Sequence, residues 1–193
     1  MTKKYKIGFA RPALLQETVL VAQAYQQERD WTAVKELIKR DNLLQTRTVR
    51  SSDIMASEIL KRLSLLNDTQ IEVLSDDYPQ DVRQLVWIAL CKQYPFIADF
   101  TIEVLVPAHQ SGRHQVDHDD YGYFFNSKAD WHPELEEVSD KTRSNARQAL
   151  FQMMRQCDLL SDANQLIPQM ISSAVQNCSP ESDLAFIPGA MRL

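Results

Sequence analysis

Hydrophobic positions along this chain recur mostly at three- and four-residue spacing, the period of helices that bury one face. The densest run sets the frame. Asp81–Pro107 reads DVRQLVWIALCKQYPFIADFTIEVLVP, and Leu85–Cys91 within it is unbroken apolar with Trp87 at its centre. A helix apolar on nearly all sides belongs inside a domain. The run is far shorter than the roughly 20 apolar residues a bilayer span needs. Pro95 removes a helical donor and crowds the preceding turn, so it should break the run. Beyond it, Asp99 and Glu103 fall on one polar stripe until Pro107 closes the segment. The pattern predicts two consecutive buried helices that meet at Pro95 and form the spine of an all-α domain.

The rest of the chain reads around that spine. Lys4–Phe9 alternates, with Tyr5, Ile7 and Phe9 on one side, and predicts a short extended arm. Pro12 suits the first turn of a helix reaching about Glu28. Asp30 can cap the next, with Trp31, Val34, Leu37 and Ile38 inward and Lys35, Lys39 and Arg40 outward. After a basic connection, Asn42–Arg50, Ser51 or Ser52 can cap a third helix running to about Leu66. Lys61 and Arg62 sit in its last turns, where cations complement the helix dipole. Thr69-x-x-Glu72 has the form of a capping box. Ala108–Asp119 has no apolar period and is expected to be a flexible joint. Tyr121–Ala129 predicts a helix carrying Tyr123, Phe124 and Phe125, and Ser139 or Asp140 can cap a long one to about Cys157. Leu159-Leu160 and Leu166-Ile167, around a polar turn, have the form of a small β-hairpin. Met170–Val175 predicts a last helix, and Ser179–Leu193, with Pro180, Pro188 and Gly189, a loose tail. The expected organisation is one compact unit: an N-terminal part over 1–107, a joint over 108–119, a winged-helix-like part over 120–178 and a tail over 179–193.

Composition narrows the function. Four isolated glycines rule out the phosphate-cradling loops of P-loop and dinucleotide-binding proteins. Three scattered cysteines fit buried thiols in a reducing compartment. The N-terminus has lysines but no apolar segment of a secretory signal, so a soluble, cytoplasmic protein with no membrane partner is expected. The net charge of −5 speaks against nucleic acid until it is divided. Residues 1–62 carry net +5, residues 63–140 net −11 and residues 141–193 net +1. An acidic middle between two basic regions is a local footprint that the average hides.

Those basic regions also resemble each other. Arg47-Thr-Val-Arg50-Ser51-Ser52 opens one predicted helix, and Lys141-Thr-Arg143-Ser144 opens another 94 positions later. In that register Lys61 falls on Arg155. A basic, hydroxyl-bearing helix start followed by an apolar helix and a turn suits a helix-turn-helix recognition helix. Its first turn can offer backbone N–H groups and Arg side chains to phosphates. The residues expected to contact duplex DNA are Lys39, Arg40, Arg47, Arg50, Ser51, Lys61, Arg62, Lys141, Arg143, Arg147 and Arg155. A solvated structural face is the competing reading, and for the acidic middle a protein-interaction adaptor. His109, His114 and His118 with Asp117, Asp119 and Asp120 read as solvated loop rather than a metal site, since no H-E-x-x-H or cysteine pair accompanies them. No catalytic motif is present, so neither an enzyme nor a cofactor is expected.

With these residues in view, the chain resembles the BrxA family of bacterial bacteriophage-exclusion (BREX) systems. The resemblance rests on Asp30-Trp31, on Asn42-Leu43-Leu44-Gln45-Thr46-Arg47-Thr48 with Ser51-Ser52, and on Glu58-Ile59-Leu60-Lys61-Arg62-Leu63. It continues through Leu85–Phe100, His132-Pro133-Glu134-Leu135 and Thr142-Arg143, from about residue 5 to 175. It implies a small all-helical, NusB-like protein that binds DNA and works in phage defence. Its implied company is the other BREX components, among them a DNA methyltransferase, an ATPase and an alkaline-phosphatase-like protein. The NusB-like fold also raises RNA as a ligand. Departures fall mainly in Ala108–Asp119 and in the tail.

Overall fold

The computed structural model describes residues 5–9 and 12–192, and in it the amphipathic runs become helices with very little strand. The first four are α1 (Leu15–Glu28), α2 (Trp31–Arg40), α3 (Val49–Leu63) and α4 (Asp68–Ser75). Pro12 stands before α1 rather than in its first turn. Asp30 caps α2 as expected, accepting from the Thr32 amide. The cap of α3 is Thr48, not Ser51 or Ser52, and its hydroxyl accepts from the Ser51 amide. The capping box of α4 is Asn67 with Gln70, two residues before the expected Thr69 and Glu72. In both cases the chosen residue holds the extended backbone that a cap needs.

The spine forms and Pro95 breaks it. Helix α5 (Pro79–Gln93) and the stretch Pro95–Gln110 bend by 116° at Tyr94. Trp87, Leu85, Ile88, Phe96 and Phe100 are fully buried at the centre of the core. The second segment, however, does not end at Pro107. It runs as α6 (Pro95–Phe100), a π-helical turn (Thr101–Leu105) and α7 (Val106–Gln110). The Val106 amide bonds the Thr101 carbonyl, five residues back. Pro107 has no amide to continue the α-helical ladder, so the widened turn before it absorbs the mismatch. Among the described residues no single helix is long and apolar enough to cross a membrane.

The C-terminal elements are α8 (His118–Ala129), α9 (Pro133–Glu136), α10 (Asp140–Gln156), β1 (Met170–Ile171), α11 (Ser173–Cys178), α12 (Glu181–Leu184) and β2 (Met191–Arg192). Helix α8 begins before Tyr121 because Asp117 and Asp120 close a capping box around its start. The expected hairpin survives as an antiparallel bridge between Leu160 and Leu166, and a third segment pairs with it. Gln115 bridges Gln165, with Val116 N donating to Asn164 O at 3.2 Å and Leu166 N to His114 O at 2.9 Å. The stretch expected as a joint is thus tied down by pairing, by fully buried Val116 and by a fork from Arg113 to Asp120. The tail differs from expectation too. Leu184 and Ile187 are buried, Lys92 reaches Asp183 at 3.0 Å, and β2 pairs parallel to β1. Gly189 lies so close on the His109 ring that a Cβ there would stand 2.4 Å from Nδ1.

The N-terminal arm follows its alternation from Tyr5 onward, Lys4 lying outside the described residues. Tyr5, Ile7 and Phe9 are buried while Lys6 and Gly8 face out. The Tyr5 hydroxyl donates to Asp99 at 2.7 Å, its amide donates to Glu134 at 2.7 Å, and its ring stacks on His132 at 3.8 Å. Burial, with Asp99 beside it, pushes the Tyr5 phenol well above its ordinary pKa. Three buried side chains, each contributing roughly 1.5–3 kcal/mol, hold the arm on the core.

Candidate nucleic-acid interface

One of the expected DNA-contacting residues is not at the surface. Arg62 is 1% exposed. Its guanidinium donates to the carbonyl of Ala13 at 2.8 Å and to Gln93 Oε1 at 3.1 Å, with Pro12 O at 3.4 Å. It sits on the inward face of α3 with Ile59 and Leu63, and desolvation works against its charge. Arg62 therefore ties the start of α1 to α3 and α5 and cannot reach a phosphate. The neighbouring Lys61 does face out, near Glu58 at 3.7 Å. Glu58 in turn accepts from the Tyr94 hydroxyl at 2.6 Å and from Gln93 at 3.1 Å.

Helices α2 and α3 bring Lys39 and Lys61 to one cleft of about 360 Å³, together with Lys35, Asp53, Ser57 and Leu60. Lys35 was absent from the expected set, although its spacing of four from Lys39 puts both on one face. Lys61 also lines an adjoining cleft of about 450 Å³ with Lys6, Ser64 and Tyr94. Lys39 shares its charge with Asp53 at 3.5 Å. Arg40 is bound in a fork by the adjacent Asp41, at 2.8 and 3.0 Å, which leaves it little to offer a ligand.

The start of α3 is different. Arg47 and Arg50 are exposed and, among the described residues, make neither an ion pair nor a side-chain hydrogen bond. The loop before them is pinned by Asn42, which accepts from the Thr46 amide at 3.1 Å and donates to its carbonyl, and by buried Leu44. Ser51 is committed to Thr48, hydroxyl to hydroxyl at 2.9 Å. No acidic residue occupies the first turn of α3. Two cations there oppose the positive end of the helix dipole.

At the start of α10, Ser139 caps through the Thr142 amide. Lys141 is exposed and without a partner among the described residues. Arg143 is folded inward instead. Its guanidinium stacks over the Phe125 ring at 4.2 Å and donates to Asn126 Oδ1 at 2.9 Å and Gly122 O at 3.3 Å. Arg143 and Arg147 line a cleft of about 260 Å³ with Tyr121, Gly122, Asp140 and Ser144. Arg155, at the far end, donates to Asn164 at 2.6 Å. The α2–α3 cleft and the α8–α10 cleft share no residue. The three cysteine thiols are buried, and burial pushes Cys157 up to about 12. Among the described residues no group of His, Cys, Asp and Glu could hold a metal ion.

Several of the short motifs have structural roles. Asp30 caps and Trp31 stacks on Tyr25 at 3.9 Å, Asn42–Thr46 closes a loop, and His132 and Glu134 clasp the arm. Their order along the chain is what a family comparison reads, and the family model of BrxA matches residues 3–182. The chain belongs to the BrxA family. The BREX protein BrxA of Escherichia coli O9:H4 (strain HS) is 24% identical over 131 residues, which is 68% of this chain and 62% of that protein. The crystal structure of an uncharacterized protein from Magnetospirillum magneticum superposes with a TM-score of 0.80 at 18% identity, covering 96% of each chain. That likeness shows a shared all-α fold and carries no function with it.

Proposed function

We infer that this BrxA-family chain is a non-enzymatic component of a BREX phage-defence system that binds duplex DNA mainly through phosphate contacts. The observation that carries the reading is the start of α3. Arg47 and Arg50 stand exposed where the helix dipole disfavours cations, and a phosphate over the first-turn amides would reverse that penalty. Lys141 at the start of α10 and the Lys35, Lys39 and Lys61 cleft offer further exposed cations. Its helices would act as helix-turn-helix-like supports, with the residues 159–167 bridge as a wing. Other BREX proteins (a methyltransferase, an ATPase, a phosphatase-like component) are its expected company, on the strength of the family and of the relative named a BREX protein.

Fluorescence anisotropy of a labelled duplex over a salt series tests this. Phosphate-driven binding predicts that log K falls with log salt at roughly −0.9 per contact. An absent or salt-independent signal would remove the DNA reading. Competition by RNA hairpins that outmatches duplex DNA would replace it with RNA binding.

A further inference from the structure

The acidic middle of the chain has a shaped surface of its own. The Glu103–Ser111 stretch and α8 enclose an open groove of about 470 Å³, lined by Val104, Pro107, Ala108 and Phe124, with Tyr123 on its wall. Tyr123 is 78% exposed and Ile102, next to Glu103, is 43% exposed. Tyr123 is the exposed aromatic that stands on the groove wall, so its ring is available to a side chain seated there, whereas Ile102 lies outside the lining. The π-helical turn ahead of Pro107 shapes one side of the groove, a geometry often kept at working sites.

The charge at its rim is unbalanced. Lys128 is shared between Asp99 at 2.9 Å and Glu103 at 2.5 Å, and Arg113 is taken by Asp120 at 2.9 Å. Glu103, Asp120 and Arg113 line the groove itself; Asp99, Asp117 and Asp119 lie beside them, so around it five acids stand against the two cations Lys128 and Arg113. Capping explains why acids start α8, but not why a large aromatic side chain stands in solvent one turn later. Lys128 and Asp120 are largely covered in these pairs, while the Glu103 carboxylate stands about half in water and can be shared with an incoming cation.

We propose that the groove between Glu103–Ser111 and α8 is a docking surface for a basic segment of another protein, which seats an apolar side chain beside Tyr123 while Lys or Arg side chains reach Glu103 and Asp119. Duplex DNA is repelled by the same carboxylates, so this face is separate from the proposed DNA surface and independent of it. The groove is open along its length, which suits a peptide chain rather than a small molecule.

Anisotropy with three labelled synthetic peptides tests the proposal on the full chain. One carries Lys, Arg and Leu; in a second, Ser replaces Leu; in a third, Glu replaces Lys and Arg. The first should bind, and each control should bind about tenfold more weakly or not at all. Tyr123→Ser, at an exposed position that leaves the core intact, should weaken the first peptide about tenfold, and Asp119→Lys should do the same. Both variants should keep the parent's duplex-DNA affinity; Tyr123→Ser should also keep its melting temperature, whereas Asp119→Lys, a cation in the first turn of α8, should lower it slightly. Equal binding of the Leu and Ser peptides, or no effect of Tyr123→Ser, would overturn the proposal. So would concentration-dependent self-association abolished by Tyr123→Ser, since a second copy would then be the occupant.

Discussion

Arg50 at the start of α3 and Arg143 at the start of α10 come from two stretches that read alike, yet the fold treats them differently. Around Arg50 the chain is a loop leading into α3, and the side chain stays in water without an ion pair or hydrogen bond among the described residues. Arg143 has α8 across from it, and Phe125, Gly122 and Asn126 give its guanidinium an aromatic face and two acceptors. Arg62, in the last turn of α3, takes this further and is wholly consumed by the core. A cation in sequence is therefore a candidate for a phosphate only when no packed element lies within its reach.

The largest effect that would test this contrast is at Arg62. Arg62→Ala leaves the carbonyl of Ala13 and the side chain of Gln93 without their donor, and should cost about 3–5 kcal/mol in urea unfolding. Duplex affinity per folded molecule should not change, whereas a loss of affinity at constant fold would return Arg62 to the interface. Arg143→Ala should cost less, about 1–2 kcal/mol, because the stacked guanidinium remains partly wet. Replacement of Arg47 and Arg50 by Glu should act with the opposite sign. Acids in place of cations at a helix start are worth about 0.3–1 kcal/mol each, so the melting temperature should rise as DNA binding falls. Arg40→Ala should leave the melting curve where it was, since its fork to Asp41 lies fully in solvent.

Much of the fold was legible because it follows from local patterns. The apolar run around Trp87, the break at Pro95, the Asp30 cap and the alternation of the arm all depend on neighbours a few residues away. The caps Thr48 and Asn67 lie two to four residues before the expected ones because several polar residues in a row can each satisfy the pattern, and backbone geometry chooses among them. The docking of the tail from Ser179 to Gly189 was invisible for a different reason. Leu184 and Ile187 are too few to show a period, and the segment is held by distant residues, Lys92 on Asp183 and His109 against Gly189. The candidate site divides in the same way. Spacing showed which side chains are basic and which face of a helix they occupy. It could not show that Asp41 would claim Arg40, that Phe125 would cover Arg143, or that α3 would turn Arg62 inward.

The central claim is that Arg47 and Arg50 meet phosphates, and the salt dependence of duplex binding measured side by side for the parent chain and the Arg47→Glu, Arg50→Glu variant tests it most directly. Two lost contacts should make the slope of log K against log salt shallower by about two, with weaker binding at low salt and an intact fold. An unchanged slope and affinity would mean that those guanidiniums point at nothing but water.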